Sequence, residues 1–356
     1  MAACLEGGGV LFKVALNSDN SDTHFTSVLG TVSALLIAGC YTPVVIDFIG
    51  APFDLCGRRL GSRLGPAALR LADIKVAIAQ LGYDVSDRGD CEAPMEHTDE
   101  GGIRNFQALN HCVQSLRGMV VESLSEGLMP VVMGGEHTLA VAGVSAALEH
   151  YGERLGLLWI DAHADIHTPG SSDTGNVHGM PLSALAGVPS ESFGKKDEDW
   201  ESLISSLGSG PKLDIRNVAW FGLRDVDPGE RNRLTGLPIT MHEIDRFGIE
   251  QTVCQIDQHF RERGVQYLWI SFDVDALDPF WAPGTGTAVR GGLSYREAHL
   301  CAELLCELLE SDQCPYKLVG VDLVETNPLF DNQNETARVT VEWLASLLGK
   351  TILGRR

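Results

Sequence analysis

The chain is predicted to fold as a three-layer αβα protein around a mostly parallel sheet. Strand-forming apolar runs recur along its 356 residues with helix-length gaps between them. Three of those runs end in residues that bind metals or move protons. In an open parallel sheet such residues gather at the C-terminal edge of the strands. With 44% hydrophobic and 21% charged residues, the chain can build one large core rather than two small ones.

Residues 1–41 differ from the rest. Segment 17–26 is polar, and 28–39 is apolar but too short to span a bilayer and broken by Gly30. Acidic Asp19 and Asp22 precede it, where a secretory signal has basic residues, and the absence of Arg speaks against a transit peptide. We read 1–41 as an N-terminal extension, partly disordered, before one catalytic domain over 42–356.

The first strand is expected at 43–50. A glycine-rich stretch, 56–70, follows, and Gly65-Pro66 opens a helix there, proline suiting the first helical position. A strand at 83–87, a helix over 105–126 and a strand at 129–133 come next, then a helix over 138–150 with Thr138 as its cap. Segment 157–160 is a buried strand. The pattern fades over 187–212, with a helical piece at 199–206. Strands at 217–222, 267–272 and 317–321 alternate with helices at 249–263, 294–310 and 334–348. Ser294 with Glu297 three residues on reads as a capping box.

The strand at 157–160 runs into Asp161, His163 and Asp165. On an extended chain these alternate residues share one face. A loop with glycines then ends in His178. The run WISFDVD delivers Asp273 and Asp275, and VVMGGEH delivers His137. One such motif alone is equally a solvated turn. Three together point to a two-metal site, because buried charge is costly unless paired and a divalent cation pairs it. Oxygen-rich, imidazole-poor donors suit manganese better than a thiolate-built zinc site would. Two ions about 3.5–4 Å apart can share one water and lower its pKa for attack.

Lys and Arg number 27 against 48 Asp and Glu, a net charge of −21. That disfavours nucleic acid and anionic membranes as partners and favours a cationic substrate, although a solubilising surface gives the same charge. Nine cysteines are scattered without a CxxC pair or a place in the motifs, as expected of free thiols in a reducing compartment, the cytoplasm. The glycines at 7–9 and around Gly61 form no dinucleotide-binding turn.

The segments GGEH, DAHADIHT, TGNVHG and SFDVDALDP resemble the ureohydrolases, and most closely the arginases, from about residue 43 to the C-terminal helix. The resemblance implies an arginase/deacetylase-like sheet of about eight strands and two Mn²⁺. One ion would take His137, Asp161, Asp165 and Asp273, and the other Asp161, His163, Asp273 and Asp275, with Asp161 and Asp273 shared. It implies hydrolysis of L-arginine to L-ornithine and urea in a homo-oligomer, a trimer or hexamer. Asp165 would pass a proton to the leaving amine and His178 would shuttle protons. Glu325 would pair with the guanidinium, whose planar fork matches a carboxylate, and Thr287 would be a neighbouring polar contact. Asp227 and Glu230 would recognise the α-amino group. Thr174 and His167 stand where arginases usually have Ser and Asn near the α-carboxylate, Asn176 is retained, and Glu136 replaces an Asp. His178 as a loop histidine, Glu325 as an ion pair and Asp227 and Glu230 as a helix N-terminal turn are the plainer readings. Agmatinase, guanidinobutyrase, formiminoglutamase and a non-catalytic partner protein remain the alternative functions.

Overall fold

The computed structural model describes residues 44–353, so the segment read as an extension, 1–41, lies outside the described residues. Eight strands occur among the described residues: β1 (Val45–Ala51), β2 (Asp84–Asp90), β3 (Met129–Gly134), β4 (Leu155–Ile160), β5 (Val218–Leu223), β6 (Leu237–Thr240), β7 (Tyr267–Asp273) and β8 (Lys317–Val324). They form one sheet in the order β2-β1-β3-β8-β7-β4-β5-β6, with every pairing parallel. The helices are α1 (Gly65–Leu71), α2 (Ile74–Ala79), α3 (Phe106–Ser125), α4 (Ala140–Tyr151), α5 (Pro181–Ala186), α6 (Lys195–Ser206), α7 (Met241–Glu262), α8 (Tyr295–Glu310) and α9 (Glu335–Leu347).

Strands β3, β4 and β5 bury every residue. They read as continuous apolar runs because helices cover both faces of a parallel sheet. On one face Ile46, Phe48, Leu158 and Ile270 pack with residues of α1, α2, α7, α8 and α9. On the other, Ile49, Val132, Trp159 and Trp220 pack with α3, α4, α5 and α6. Neighbours such as Leu158 and Trp159 serve opposite cores, as the two-residue period of a strand requires. Inside the second core, a Cβ on Gly320 would lie 2.1 Å from the Trp269 ring, so glycine makes room for that indole.

The edges are different. β2, DVSDRGD, is polar and leaves several residues at the surface. β6 is four residues long and contains Pro238. A proline lacks the N–H that a central strand would need, and short or charged edges resist pairing with other chains. β6 is missing from the sequence-based expectation for the same reason: four residues around a proline give no run.

The capping box at Ser294 and Glu297 is present at the start of α8, and Thr240 with Glu243 makes another at α7. Gly248, at φ 80°, interrupts α7, so its second half begins at Ile249, where the sequence pattern puts a helix. Thr138 does not cap α4. It lies in a 3-10 turn, His137–Leu139, and its hydroxyl donates to Glu136 Oε1 at 2.8 Å. The helical piece expected at 199–206 starts four residues earlier, at Lys195.

Candidate metal centre and active site

The strand order sets β3, β8, β7, β4 and β5 side by side. Their C-terminal ends deliver His137, Glu325, Asp273 and Asp161 and the segment 224–230 to one edge. β4 stops at Ile160, so Asp161, His163 and Asp165 do not share the face of an extended strand, as the alternation suggests. A tight curl gathers them instead. Asp161 Oδ1 accepts from His163 N at 2.7 Å, and Asp273 Oδ1 accepts from Asp275 N at 2.8 Å. Each carboxylate captures the amide two residues on, which ends the extended chain and turns the second side chain back beside the first. Asp165 and Glu325 both take left-handed backbone, at φ 50° and 63°, a conformation that costs a non-glycine residue energy.

His137 Nδ1 lies 3.0 Å from Asp161 Oδ2, 3.1 Å from Asp165 Oδ2 and 3.2 Å from Asp273 Oδ2. His163 Nδ1 lies 3.2 Å from both Asp161 Oδ1 and Asp275 Oδ2. Two groups of candidate ligands result, sharing Asp161. His137 Nδ1 and Asp161 Oδ2 are buried without a hydrogen-bond partner. Donor atoms about 3 Å apart match the edges of an octahedron with bonds of about 2.1 Å to a hard divalent cation. The electrostatics agree. Burial and the neighbouring Asp161 push Asp165 up to about 7, and burial with Asp275 and Asp161 raises Asp273. Burial also acts to raise Asp161, but the imidazoles of His137 and His163 outweigh it and hold it down. Crowded carboxylates of this kind fit a pair of divalent cations.

The surroundings hold these groups in place. His137 Nε2 is 2.9 Å from Ser271 Oγ, and the ring stacks on Trp159 at 3.9 Å. Asp322, beside Ser271 across the β7–β8 pairing, accepts from Trp269 Nε1 at 2.8 Å. Burial nevertheless pushes Asp322 up to about 7. Thr287 Oγ1 donates to Asp275 Oδ2 at 2.7 Å, so it touches a candidate ligand. Glu325 Oε1 accepts from His137 N and lies 3.0 Å from His178 Nδ1. Burial acts to lower the His178 pKa, but the Glu325 hydrogen bond and the charges of Glu325, Glu136 and Asp165 raise it to about 9. Glu136, fully buried, accepts from Cys56 N at 2.9 Å. Burial pushes it up to about 8, with His178 opposing and Glu325 adding to the rise.

Above this floor opens a pocket of about 180 Å³. His137, His163, Asp165, Asp273 and Thr287 reach it from below, and His178 from the side. Its mouth carries Thr174 and Asn176 together with His167, Asp227 and Glu230. Asp161, Asp275 and Glu325 lie at or beneath the floor. Glu230 binds the backbone: Oε1 accepts from Ile166 N at 3.1 Å and Oε2 from Asp227 N at 3.0 Å. His167 has both nitrogens engaged, Nδ1 with Ser171 Oγ at 3.0 Å and Nε2 with Asp227 Oδ2 at 3.1 Å. The carboxylate contact expected of it therefore requires Asp227 to release it. Asn176 Oδ1 accepts from Arg104.

Residues 45–349 match the sequence profile of the arginase family. The chain belongs to the arginase family. It is 39% identical to the arginase of Staphylococcus aureus strain MSSA476 over 316 residues, 86% of this chain and 98% of that protein. It is 36% identical to the arginase of Bacillus subtilis strain 168 over 318 residues, 86% and 99% of the two chains. Among solved structures, native arginase from Bacillus caldovelox superposes with a TM-score of 0.77 at 36% identity, covering 87% of this chain and 99% of that one. Membership in the arginase family makes the chain a hydrolase acting on C–N bonds of a guanidino compound. The binuclear metal site that goes with the family has compatible His and Asp clusters here.

Sequence reasoning missed several groups at this site. Asp225 lines the pocket two residues before Asp227, an alternation visible in LRDVDPGE. Arg58 also lines it, and nothing in the run CGRRLG distinguishes Arg58 from its neighbour Arg59. Ser271 and Asp322 sit inside apolar strands, where only a polar residue in a buried run marks them.

Proposed function

We propose that the chain hydrolyses L-arginine to L-ornithine and urea, with two Mn²⁺ held by His137, Asp161, His163, Asp165, Asp273 and Asp275. Residues 42–356 form the catalytic domain of a cytoplasmic homo-oligomer, a trimer or hexamer, in this reading. The observation that carries a substrate with an amino group is the acidic wall of Asp225, Asp227 and Glu230 at the mouth of a pocket floored by candidate metal ligands, and similarity to arginases over most of the chain favours arginine over agmatine. Such a wall suits an α-ammonium held away from the reacting guanidinium. Nitrogen and oxygen donors without thiolate favour manganese.

When bound, the cations supply Lewis acidity and lower the pKa of water for attack at the guanidinium carbon. Glu325 binds the guanidinium by accepting from its N–H groups. Its Oε1 is shared with His137 N and His178, which leaves Oε2, on the Gly286 side, for the substrate. Asp165 accepts a proton on its carboxylate and hands it to the leaving amine nitrogen. His178, kept protonated beside Glu325, moves protons between the pocket and solvent. Asp227 and Glu230 hold the α-ammonium, Thr174, Asn176 and His167 line the path to it, and Thr287 steadies Asp275.

Urea release from arginine, agmatine and guanidinobutyrate, measured side by side after loading with Mn²⁺, Co²⁺ or Zn²⁺, tests this reading. Arginine should be cleaved fastest and manganese should support the highest rate. Faster cleavage of agmatine or guanidinobutyrate would overturn the substrate assignment, and a higher rate with another ion the choice of metal.

A further inference from the structure

We propose that Arg58 reads the carboxylate of the substrate's amino-acid head. The inference rests on the arginine reading above. The residues that line the pocket mouth fall into two groups of opposite charge. One carries Asp225, Asp227 and Glu230. His167 belongs to that wall, because its Nε2 lies 3.1 Å from Asp227 Oδ2. The other is built from the segments 56–58 and 174–178. These two run together: Val177 N donates to Cys56 O at 3.1 Å, and a Cβ on Gly57 would lie 3.6 Å from His178 Nδ1.

Arg58 is the single Lys or Arg among the residues lining the pocket. Its guanidinium has no ion pair or hydrogen bond among the described residues, and the side chain is exposed. Arg104, by contrast, is committed to Asn176. A zwitterionic head fits this mouth in one orientation, its ammonium toward the acids and its carboxylate toward Arg58 and the Asn176 amide. Guanidinium and carboxylate match as planar forks. The acidic wall alone does not distinguish arginine from its decarboxylated counterpart, agmatine; a cation at the same mouth does.

The test compares the Mn²⁺-loaded parent with R58Q and R58K on arginine, argininamide and agmatine. In R58Q, KM for arginine should rise about tenfold, the low end for a charge-assisted contact at an exposed site. KM for agmatine should move the other way, because a repelling cation has gone. R58K should fall between, since it keeps the charge and loses the fork. Ornithine binding, followed by calorimetry, should weaken in R58Q by the same factor as arginine. Metal content and the thermal midpoint report on folding separately. Equal shifts for arginine and argininamide, or none, would overturn the Arg58 inference while leaving arginine as the substrate. A parent that prefers agmatine would overturn the substrate assignment and Arg58 with it.

Discussion

His137 and Asp227 face the same pocket, yet the His137 side chain is 1% exposed and that of Asp227 is 65% exposed. The two are also held differently. Asp161, Asp273 and His137 follow the ends of fully paired central strands, and each is closed down within two residues by a side-chain-to-backbone hydrogen bond or a 3-10 turn. At the mouth, His167 and Asp227 sit on longer loops and meet through their side chains, while Glu230 is tied to backbone amides. Rigid strand ends hold the groups on which the reaction type depends, and loops hold those on which substrate choice depends. Four changes can break or sharpen that division.

The largest effect is expected at the floor. Asp273→Asn should lower both metal occupancy and turnover by more than about a hundredfold, beyond the range of outer-shell changes. Metal analysis beside steady-state kinetics decides it, and near-normal activity with full resistance to chelation would remove the two-metal reading. His178→Ala should slow kcat by about 10²–10⁴ with metal content intact. If manganese were lost as well, His178 would belong to the floor. His178 also carries a pH signature in the metal-free protein. Its pKa is raised from 6.5 to about 9, so its contribution is complete below pH 6.5 and disappears as pH climbs through 9. The difference amounts to about 3 kcal/mol. Between pH 6.5 and 9.5 the thermal midpoint of the parent should therefore fall more steeply than that of His178→Ala.

Ser271→Ala comes next. It removes the hydroxyl that holds His137 Nε2 and should weaken manganese binding about 10–100-fold without changing the ratio of arginine to agmatine cleavage. A changed ratio would mean that floor and mouth are coupled. The smallest effect belongs to the mouth. His167→Asn should shift KM for arginine by only a few-fold, about 1 kcal/mol. Metal loss in this variant would contradict the division directly.

The same division explains what could be read from the sequence. Every candidate ligand, His137, Asp161, His163, Asp165, Asp273 and Asp275, was legible, because a charged residue ending an apolar run has few structural reasons to be there. The way in which they converge was not. Alternation suggested a shared strand face, whereas the Asp161 and Asp273 carboxylates curl the chain by local hydrogen bonds that periodicity does not encode. Central strands were legible from buried runs, and β6 was not, since Pro238 breaks so short a pattern. The pairing of His167 with Asp227, sixty residues apart, depends on loop geometry. So does the entry of Arg58 into the pocket.

β8 has a consequence for how the molecule is born. It is the last strand synthesised, yet it lies in the middle of the sheet, with β3 on one side and β7 on the other. Its partner in β3 is far away along the chain, Val131 beside Val321. Without β8, nothing pairs the strands β2-β1-β3 with β7-β4-β5-β6. His137 belongs to the first half and the aspartates to the second. A nascent chain therefore cannot assemble the ligand set early, and pairing at such sequence separation is slow. Closure of the keystone strand and completion of the metal centre become one late event, so a chain cut before residue 317 should retain helices and half-sheets but no dinuclear site.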